Sequence, residues 1–272
     1  MVSVIIPTHQ RRDWVLRAIE SVRRQSYRDW ELIVVDDGSE DGTHEAVNRM
    51  SDDRIRCLRQ PRRGVSAARN HGIQRARYDW ISFLDSDDSW QPRKLERQLE
   101  ALEAEPAYKA CFTEEIWIRN GVRVNQKKHH RKQGGWIYPL CLPLCVISPS
   151  SILLHRTVLS RIGLFDENFP VCEDYELWLR LCSQHPVLFI PEPLIVKTGG
   201  HADQLSRSRW GMDRFRVRAL QKILSSGGLS PRLRKLSIVE LKRKAEILAG
   251  GCEKRGKIEE ARYYRSLIEQ FC

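Results

Sequence analysis

Between residues 2 and 90, short apolar, β-branched runs alternate with amphipathic stretches, and the two strongest runs, ELIVVDDGS and WISFLDSDD, end in acids. Strand–helix–strand alternation is the sequence form of βαβ units around a parallel sheet, and it directs the chain to an α/β fold. VSVIIP, from Val2 to Pro7, reads as a buried strand closed by a proline. From Trp14 to Arg23 the apolar positions Trp14, Val15, Ala18, Ile19 and Val22 recur at helical spacing, with Asp13 as the expected N-cap. Leu32 to Val35 gives a second strand, Arg54 to Leu58 a third, Ser66 to Arg75 a helix, and Trp80 to Leu84 a fourth strand. Open parallel sheets bind ligands beyond the carboxyl ends of their strands. If the second and fourth strands are parallel neighbours, Asp36 and Asp37 meet Asp85, Asp87 and Asp88 at one edge. Asp and Gly favour turns on conformational grounds alone, so one such cluster would say little; two at equivalent strand ends say more.

The chain has 272 residues, enough for one large domain or for one domain with a small appendage. Charge marks the division. From Arg207 to Cys272 there are 17 Lys and Arg against 7 Asp and Glu, whereas residues 1–206 are nearly neutral. Strand-forming runs also stop near residue 212, where ELKRKAEILAGGC and KIEEARYYRSLIEQF read as helices broken by Gly250, Gly251 and Gly256. The expected division is therefore an α/β body over 1–211 and a basic helical region over 212–272. Such a basic block suits an anionic membrane surface or an acidic partner, or is an ordinary solvated helix face. No apolar run approaches the roughly 18 residues of a membrane span, and MVSVIIPTHQRR lacks the plan of a signal peptide. A cytoplasmic protein with reduced thiols is expected, since the eight cysteines show no zinc-site spacing; the nearest pair is Cys141 and Cys145.

After Pro92, KLERQLEALEAE reads as an amphipathic helix ended by Pro106. Asn120 to Gly135 reads as a polar, basic, mobile loop, with Lys127, Lys128, His129, His130, Arg131 and Lys132 in a row. A loop over an anionic ligand fits it better than a metal site does, because adjacent cations oppose a metal ion. SSILLHR, Ser150 to Arg156, restores a strand, and EDYELWLRLC, Glu173 to Cys182, forms a helix with two acids at its start. Acids there are also favoured by the helix dipole.

Three elements gain meaning together: VVDDGS, the Asp85-Ser86-Asp87 turn, and the Glu173-Asp174 pair. Two carboxylates separated by one residue can reach a common divalent cation, and hard oxygen ligands suit Mg²⁺ or Mn²⁺. A carboxylate after the first βαβ crossover can accept hydrogen bonds from a nucleobase or ribose. Another on the opposite wall could take a proton from an incoming hydroxyl. These are the parts of a nucleotide-sugar transfer site.

At these residues the sequence resembles a family 2 glycosyltransferase with the GT-A fold, a Rossmann-like, mostly parallel sheet flanked by helices. The resemblance runs through VSVIIPTHQR, ELIVVDDGSEDGT, GVSAARNHGI, WISFLDSDDSWQPRKLE and FDENFPVCEDYELWLRL, and covers roughly residues 2 to 206. It implies that Pro7, Thr8 and His9 line the nucleotide base, with Asp37 bonded to the base and Asp36 beside it. It further implies that Arg69 and Asn70 face the nucleotide and diphosphate, with Asp85 and Ser86 near the ribose or metal and Asp87 as principal metal ligand. Asp174 matches the catalytic base of inverting members, and Glu173 its supporting neighbour. His9 departs from the tyrosine usual in the family. His201, in GGHADQLSR, stands where similar proteins close the donor site with a late loop; it is either a contact to metal or diphosphate or a loop hydrogen bonder. The Gln-x-x-Arg-Trp motif of processive synthases is broken here, since Gln204 and Arg207 are followed by Ser208, with Arg209-Trp210 one step later. That favours transfer of a single sugar.

The leading expectation is a metal-dependent, inverting transfer from a nucleoside-diphosphate sugar, with UDP preferred, to a glycan or lipid-linked acceptor. Two rivals stay open at this point: a nucleotidyltransferase, and a non-catalytic sugar-nucleotide scaffold whose basic tail meets an anionic partner. THQRRD lacks the glycine of a phosphate loop, which counts against the first. No specific nucleic acid is expected as partner, and a homodimer is left open.

Overall fold

The computed structural model describes residues 1–125, 131–201 and 211–271. Strand β1 (Val2–Thr8) is buried along its whole length. Its side chains alternate, Val4 and Ile6 entering one apolar layer and Ile5 the other, as expected of a strand covered on both faces. It pairs in parallel with β2 (Trp30–Asp36) on one side and β4 (Trp80–Phe83) on the other, while β3 (Ile55–Arg59) adds to β2. The carboxyl ends of β2 and β4 therefore point the same way with β1 between them, and the two acid clusters flank the end of one central strand.

Beyond β4 the sheet becomes mixed. Its order is β3-β2-β1-β4-β8-β6-β9-β5, with β7 (Val122–Val124) paired to β6 off this path. Strand β8 (Leu153–His155) lies antiparallel between β4 and β6 (Ala110–Arg119). Strand β9 (Leu188–Gly199) runs parallel to β6, and β5 (Ser89–Trp90) closes the edge. The β6–β9 register shifts between Thr113 and Glu115, a bulge of the kind that re-aims side chains near a site.

One face of the sheet carries α1 (Arg12–Arg23), α2 (Thr43–Asn48) and α4 (Lys94–Ala104). The other carries α3 (Val65–Arg75), α5 (Tyr138–Cys141), α6 (Arg156–Ile162) and α7 (Glu173–Gln184). Helices α8 (Met212–Ser225), α9 (Pro231–Glu253) and α10 (Ile258–Phe271) follow. Their Leu220, Leu224, Leu241, Ala245 and Leu267 belong to the same apolar cluster as Leu177 and Leu181 of α7. No described helix is long and apolar enough to cross a membrane. The seven described cysteines are free thiols; Cys272 lies outside the described residues.

Several local expectations change. Arg11, not Asp13, takes the cap position of α1; Asp13 sits inside its first turn, and Asp41 Oδ2 accepts the Arg12 N–H at 3.0 Å instead. The strand expected over Ser150 to Arg156 is cut to β8 by a 3₁₀ turn (Pro149–Ser151) before it and α6 after it. Within Asn120 to Gly135, β7 forms a hairpin with β6, Gly135 bridges Val187, and Lys132 is buried on Glu115 at 2.8 Å, so these stretches are not a free loop. Lys127, Lys128, His129 and His130 lie outside the described residues, as do Gln204, Ser206, Arg207, Ser208, Arg209 and Trp210. Helix α9 runs through Gly250 and Gly251, and the chain turns at Gly256, whose φ of +69° suits glycine.

Candidate active site

The site is organised around a buried guanidinium. Arg69, on α3, donates to Asp85 Oδ1 at 2.7 Å and to Glu173 Oε1 at 2.6 Å. The acid-bearing end of β4 and the first turn of α7 are thereby joined by one side chain. Burial works against the charge of Arg69, but Asp85 and Glu173 outweigh it and hold it protonated. Burial pushes Glu173 up to about 7 even though Arg69 pulls the other way, and the Asp174 charge beside it adds to the rise. Glu173 thus titrates near neutrality inside an ion-pair chain.

Asp87, two residues beyond Asp85, meets a different pair. Arg11 Nη1 lies 2.9 Å from its Oδ2 and His201 Nε2 3.0 Å from the same oxygen. The His201 ring packs on Trp14 with centroids 5.3 Å apart, which anchors the chain after β9 to α1. Ser86 is buried, with Arg11 Nη1 3.5 Å from its hydroxyl. Asp87 Oδ2 is thus ion-paired with Arg11 as well as with His201, and a cation held by Asp87 and His201 would have to displace the Arg11 guanidinium from that oxygen. Asp85 faces Arg69, and no cluster of three or more ligating side chains occurs among the described residues. Two protein ligands still fit Mg²⁺ or Mn²⁺, which are commonly held by one or two side chains with waters and substrate phosphates.

At the neighbouring strand ends, polar atoms are buried without a hydrogen-bond partner: Thr8 Oγ1, His9 Nδ1 and Asp36 Oδ2. Pro7 and Thr8 are the last residues of β1, and Asp37 N–H donates to the Thr8 carbonyl at 2.9 Å. Asp36 Oδ1 accepts from Ser39 N–H at 2.9 Å. Asp37 is fuller: Oδ1 accepts from Gln60 Nε2 and Arg63 N–H and Oδ2 from Gly64 N–H, all at 2.8 Å. It pins the loop that leads into α3 and hence to Arg69. Asn70 faces elsewhere. Its amide bonds Phe165 through both ends and Glu167 through Nδ2, tying α3 to the 165–167 segment.

Asp174 lines a cavity of about 130 Å³ with Glu115, Trp117, Lys132, Cys145, Ser148 and Lys197 among its walls. The β6–β9 bulge places Glu115 there, bonded to Lys132 and to the Trp117 indole at 2.7 Å. Burial opposes ionisation of Glu115, but Lys197 and Lys132 outweigh it and hold its carboxyl below the usual range. Burial likewise opposes the charge of Lys197, which Glu115, Asp88 and Asp85 restore, so its ammonium persists. Lys197 joins the Asp174 cavity to the Asp85–Asp88 turn.

Lys197 and Arg11 take part in the site without having been singled out from sequence, and Asp88, which the sequence placed in the acid cluster, had been given no role of its own. Asp88 Oδ2 accepts from Ser150 Oγ at 2.6 Å and Oδ1 from Thr198 N–H at 3.0 Å, locking the acidic turn to β9. Burial, then the charges of Asp87 and Asp85, drive its carboxyl well above the usual range. A lysine interrupting the apolar run PLIVKT and a third acid in DSDDS were the available signals.

The profile of Glycosyl transferase family 2 matches residues 3–162. An Escherichia coli protein named UDP-Glc:alpha-D-GlcNAc-diphosphoundecaprenol beta-1,3-glucosyltransferase WfaP is 32% identical over 190 residues, 68% of this chain and 71% of that protein. Two other curated relatives are longer, and the chain spans 35% of each. Among solved structures, S. aureus TarS 1-349 in complex with UDP-GlcNAc superposes with a TM-score of 0.71 at 15% identity, over 99% of this chain and 91% of that one. Mannosyltransferase PcManGT from Pyrobaculum calidifontis, in complex with GDP-Man and Mn²⁺, does so with a TM-score of 0.64 at 18% identity, over 99% and 83%.

Proposed function

From a chain that belongs to glycosyl transferase family 2, we propose an inverting enzyme that moves one sugar from a UDP-sugar to a hydroxyl of a lipid-linked glycan acceptor at the cytosolic face of a membrane. The observation that carries this reading is the Glu173–Arg69–Asp85 chain, which ties the strand-end acids to the first turn of α7 where Asp174 stands. The buried atoms of Thr8 and His9 that lack a hydrogen-bond partner support a nucleoside seat at the end of β1. UDP-GlcNAc in TarS and UDP-Glc in the name of WfaP support the donor nucleotide, and the diphosphoundecaprenol in that name supports the acceptor class.

In this reading Asp174 takes the proton of the acceptor hydroxyl, and the freed oxygen attacks the anomeric carbon from the face opposite the diphosphate. The bond from that carbon to the diphosphate oxygen breaks in the same displacement, and configuration inverts. Glu173 and Arg69 keep the first turn of α7 fixed against the β4 end, so that base and leaving group stay in register. Arg11 supplies positive charge beside Asp87 where the diphosphate lies. A divalent cation, Mn²⁺ or Mg²⁺, held by Asp87 and His201 would neutralise charge on the departing diphosphate.

The deciding experiment follows UDP release from UDP-glucose on addition of a polyprenyl-diphosphate-linked sugar, with nucleotide binding measured in parallel. Asp174→Asn is expected to lose turnover by at least about a hundredfold and to bind UDP as the unaltered protein does. Turnover at the unaltered rate in Asp174→Asn would remove Asp174 from the mechanism.

A further inference from the structure

Cys145 lies between α5 and the Pro149–Ser151 turn, and its sulfur stands 3.2 Å from Asp174 Oδ2 and 3.2 Å from the carbonyl oxygen of Ile147. A thiol carries a single hydrogen. Two acceptors at the same distance therefore compete for it, one able to change charge and the other not. The second carboxylate oxygen, Oδ1, is held by the Tyr175 N–H at 2.7 Å. Burial, and after it the charge of Asp174, raise the thiol well above its usual range, so Cys145 stays protonated as a donor rather than becoming a thiolate.

Resting on the assignment of Asp174 as the base, we infer that Cys145 is a positioning residue for it, its thiol donating to Oδ2 while the carboxylate is ionised and turning to the Ile147 carbonyl once Asp174 has taken the acceptor's proton. The sulfur–hydrogen bond never breaks; the acceptor's O–H bond breaks and a carboxyl O–H forms. In the resting state the thiol fixes the carboxylate plane toward the cavity. After proton transfer it vacates the oxygen that has become a hydroxyl, so no donor faces donor. The other ionisable groups facing Asp174 and Cys145 are Lys197 from β9, Glu115 from β6, Lys132 before α5, Cys141 on α5, Cys172 and Glu173 at the start of α7, and Arg216 from α8. They are shared by every variant below and leave the comparison to the thiol.

Two measurements test this. The first is the S–H stretching band, isolated as the infrared difference between the unaltered protein and Cys145→Ser. It is expected at the lowered frequency of a thiol bonded to a carboxylate, and expected to rise when the same difference is taken in an Asp174→Ala background. The second is the pH profile of transfer. Cys145→Ala is expected to lower kcat about tenfold, to leave the donor KM within about twofold, and to move the acidic limb of the profile to higher pH, because a hydrogen bond to the ionised form is gone. Cys145→Ser, which keeps a donor, is expected to recover most of the rate. A band that ignores Asp174→Ala, or a Cys145→Ala enzyme with unchanged kcat and pH profile, overturns the inference. Loss of the Asp174 assignment would appear separately, as full turnover by Asp174→Asn with the infrared shift intact.

Discussion

Arg69 is buried between two carboxylates, and the physics of such a triad is asymmetric. Removing the cation leaves the buried Glu173 without its counter-charge beside Asp85, and one-sided removal from a buried pair costs about 3–5 kcal/mol. Arg69→Ala is therefore expected to lose stability by that amount in denaturant titrations at neutral pH, and to lose transfer with it. Glu173 adds a pH signature. Its folded-state value of about 7 lies above the 4.5 of an unperturbed glutamate, so the native state binds more protons than the unfolded chain between those limits. Its contribution is fully present below about pH 4.5 and is lost as pH rises through about 7. Glu173→Gln removes that slope. The thermal midpoint of Glu173→Gln relative to the unaltered protein should rise by several °C between pH 5 and 8; a constant difference would show that Glu173 does not titrate there. Most of this neighbourhood is legible in the sequence because carboxylates at strand ends announce themselves: Asp36, Asp37, Asp85, Asp87 and the Glu173-Asp174 pair all reach the same edge of the fold. Asn70 and Asp37 show the limit of that legibility. Both lie in the right motifs, yet their polar atoms hold Phe165, Glu167 and the Gln60–Gly64 loop, contacts that depend on tertiary approach and leave no local pattern.

Helix α3 carries Arg69 into place, and it does so by lying close on β1. A Cβ on Gly72 would stand 2.5 Å from Ile5 Cγ2, so this glycine is required by proximity rather than by backbone conformation. Gly72→Ala is expected to lift α3 from the sheet at a cost of about 1–3 kcal/mol. Because Arg69 sits nearly one turn earlier on the same helix, kcat should fall more than the stability loss alone would produce at assay temperature. Melting curves and turnover measured on one preparation check both; an unchanged midpoint would mean that Ile5 yields without moving the helix. The elements around α3 follow from periodicity, which is why β1 to β4, α1, α3, α4 and α7 are readable from sequence within a few residues. Strands β6 and β9 are not. CFTEEIWIR alternates imperfectly around its bulge and PEPLIVKTG is interrupted by prolines and a lysine. Their pairing is long-range, and it is this pairing that brings Glu115 and Lys197 to the Asp174 cavity. The helical tail is legible as helices, while its glycines mislead: Gly250 and Gly251 stay helical because the packing of Leu241, Ala245, Ala249 and Cys252 outweighs their propensity.

At the scale of the molecule, part of the excess charge of the tail lies on one exposed helix face. Helix α9 buries Leu241, Ala245, Ala249 and Cys252 and turns Arg232, Lys235, Val239, Lys242, Glu246 and Ile247 outward. Its buried Lys244 donates to the Pro143 carbonyl at 3.1 Å, and the residues that follow, Leu144 to Ser148, line the Asp174 cavity. A bilayer touching the outer face of α9 would thus lie about one helix thickness, roughly 10–12 Å, from the segment that borders the cavity. An anionic surface suits three basic side chains interleaved with two apolar ones, and each Lys or Arg held near such a surface contributes about 1 kcal/mol. Truncating the tail cannot test this, because α8 to α10 share the apolar cluster of α7 and their loss would open the core. Reversing charge on the exposed face leaves that cluster intact. Arg232→Glu, Lys235→Glu and Lys242→Glu combined should reduce binding to phosphatidylglycerol vesicles by at least about a hundredfold. Transfer to a water-soluble acceptor should stay unchanged, and the unaltered protein should release from the vesicles as salt rises and ignore phosphatidylcholine. Equal co-sedimentation of the triple variant, or preferential binding of the unaltered protein to duplex DNA over the anionic vesicles, would assign the basic face to something other than a membrane.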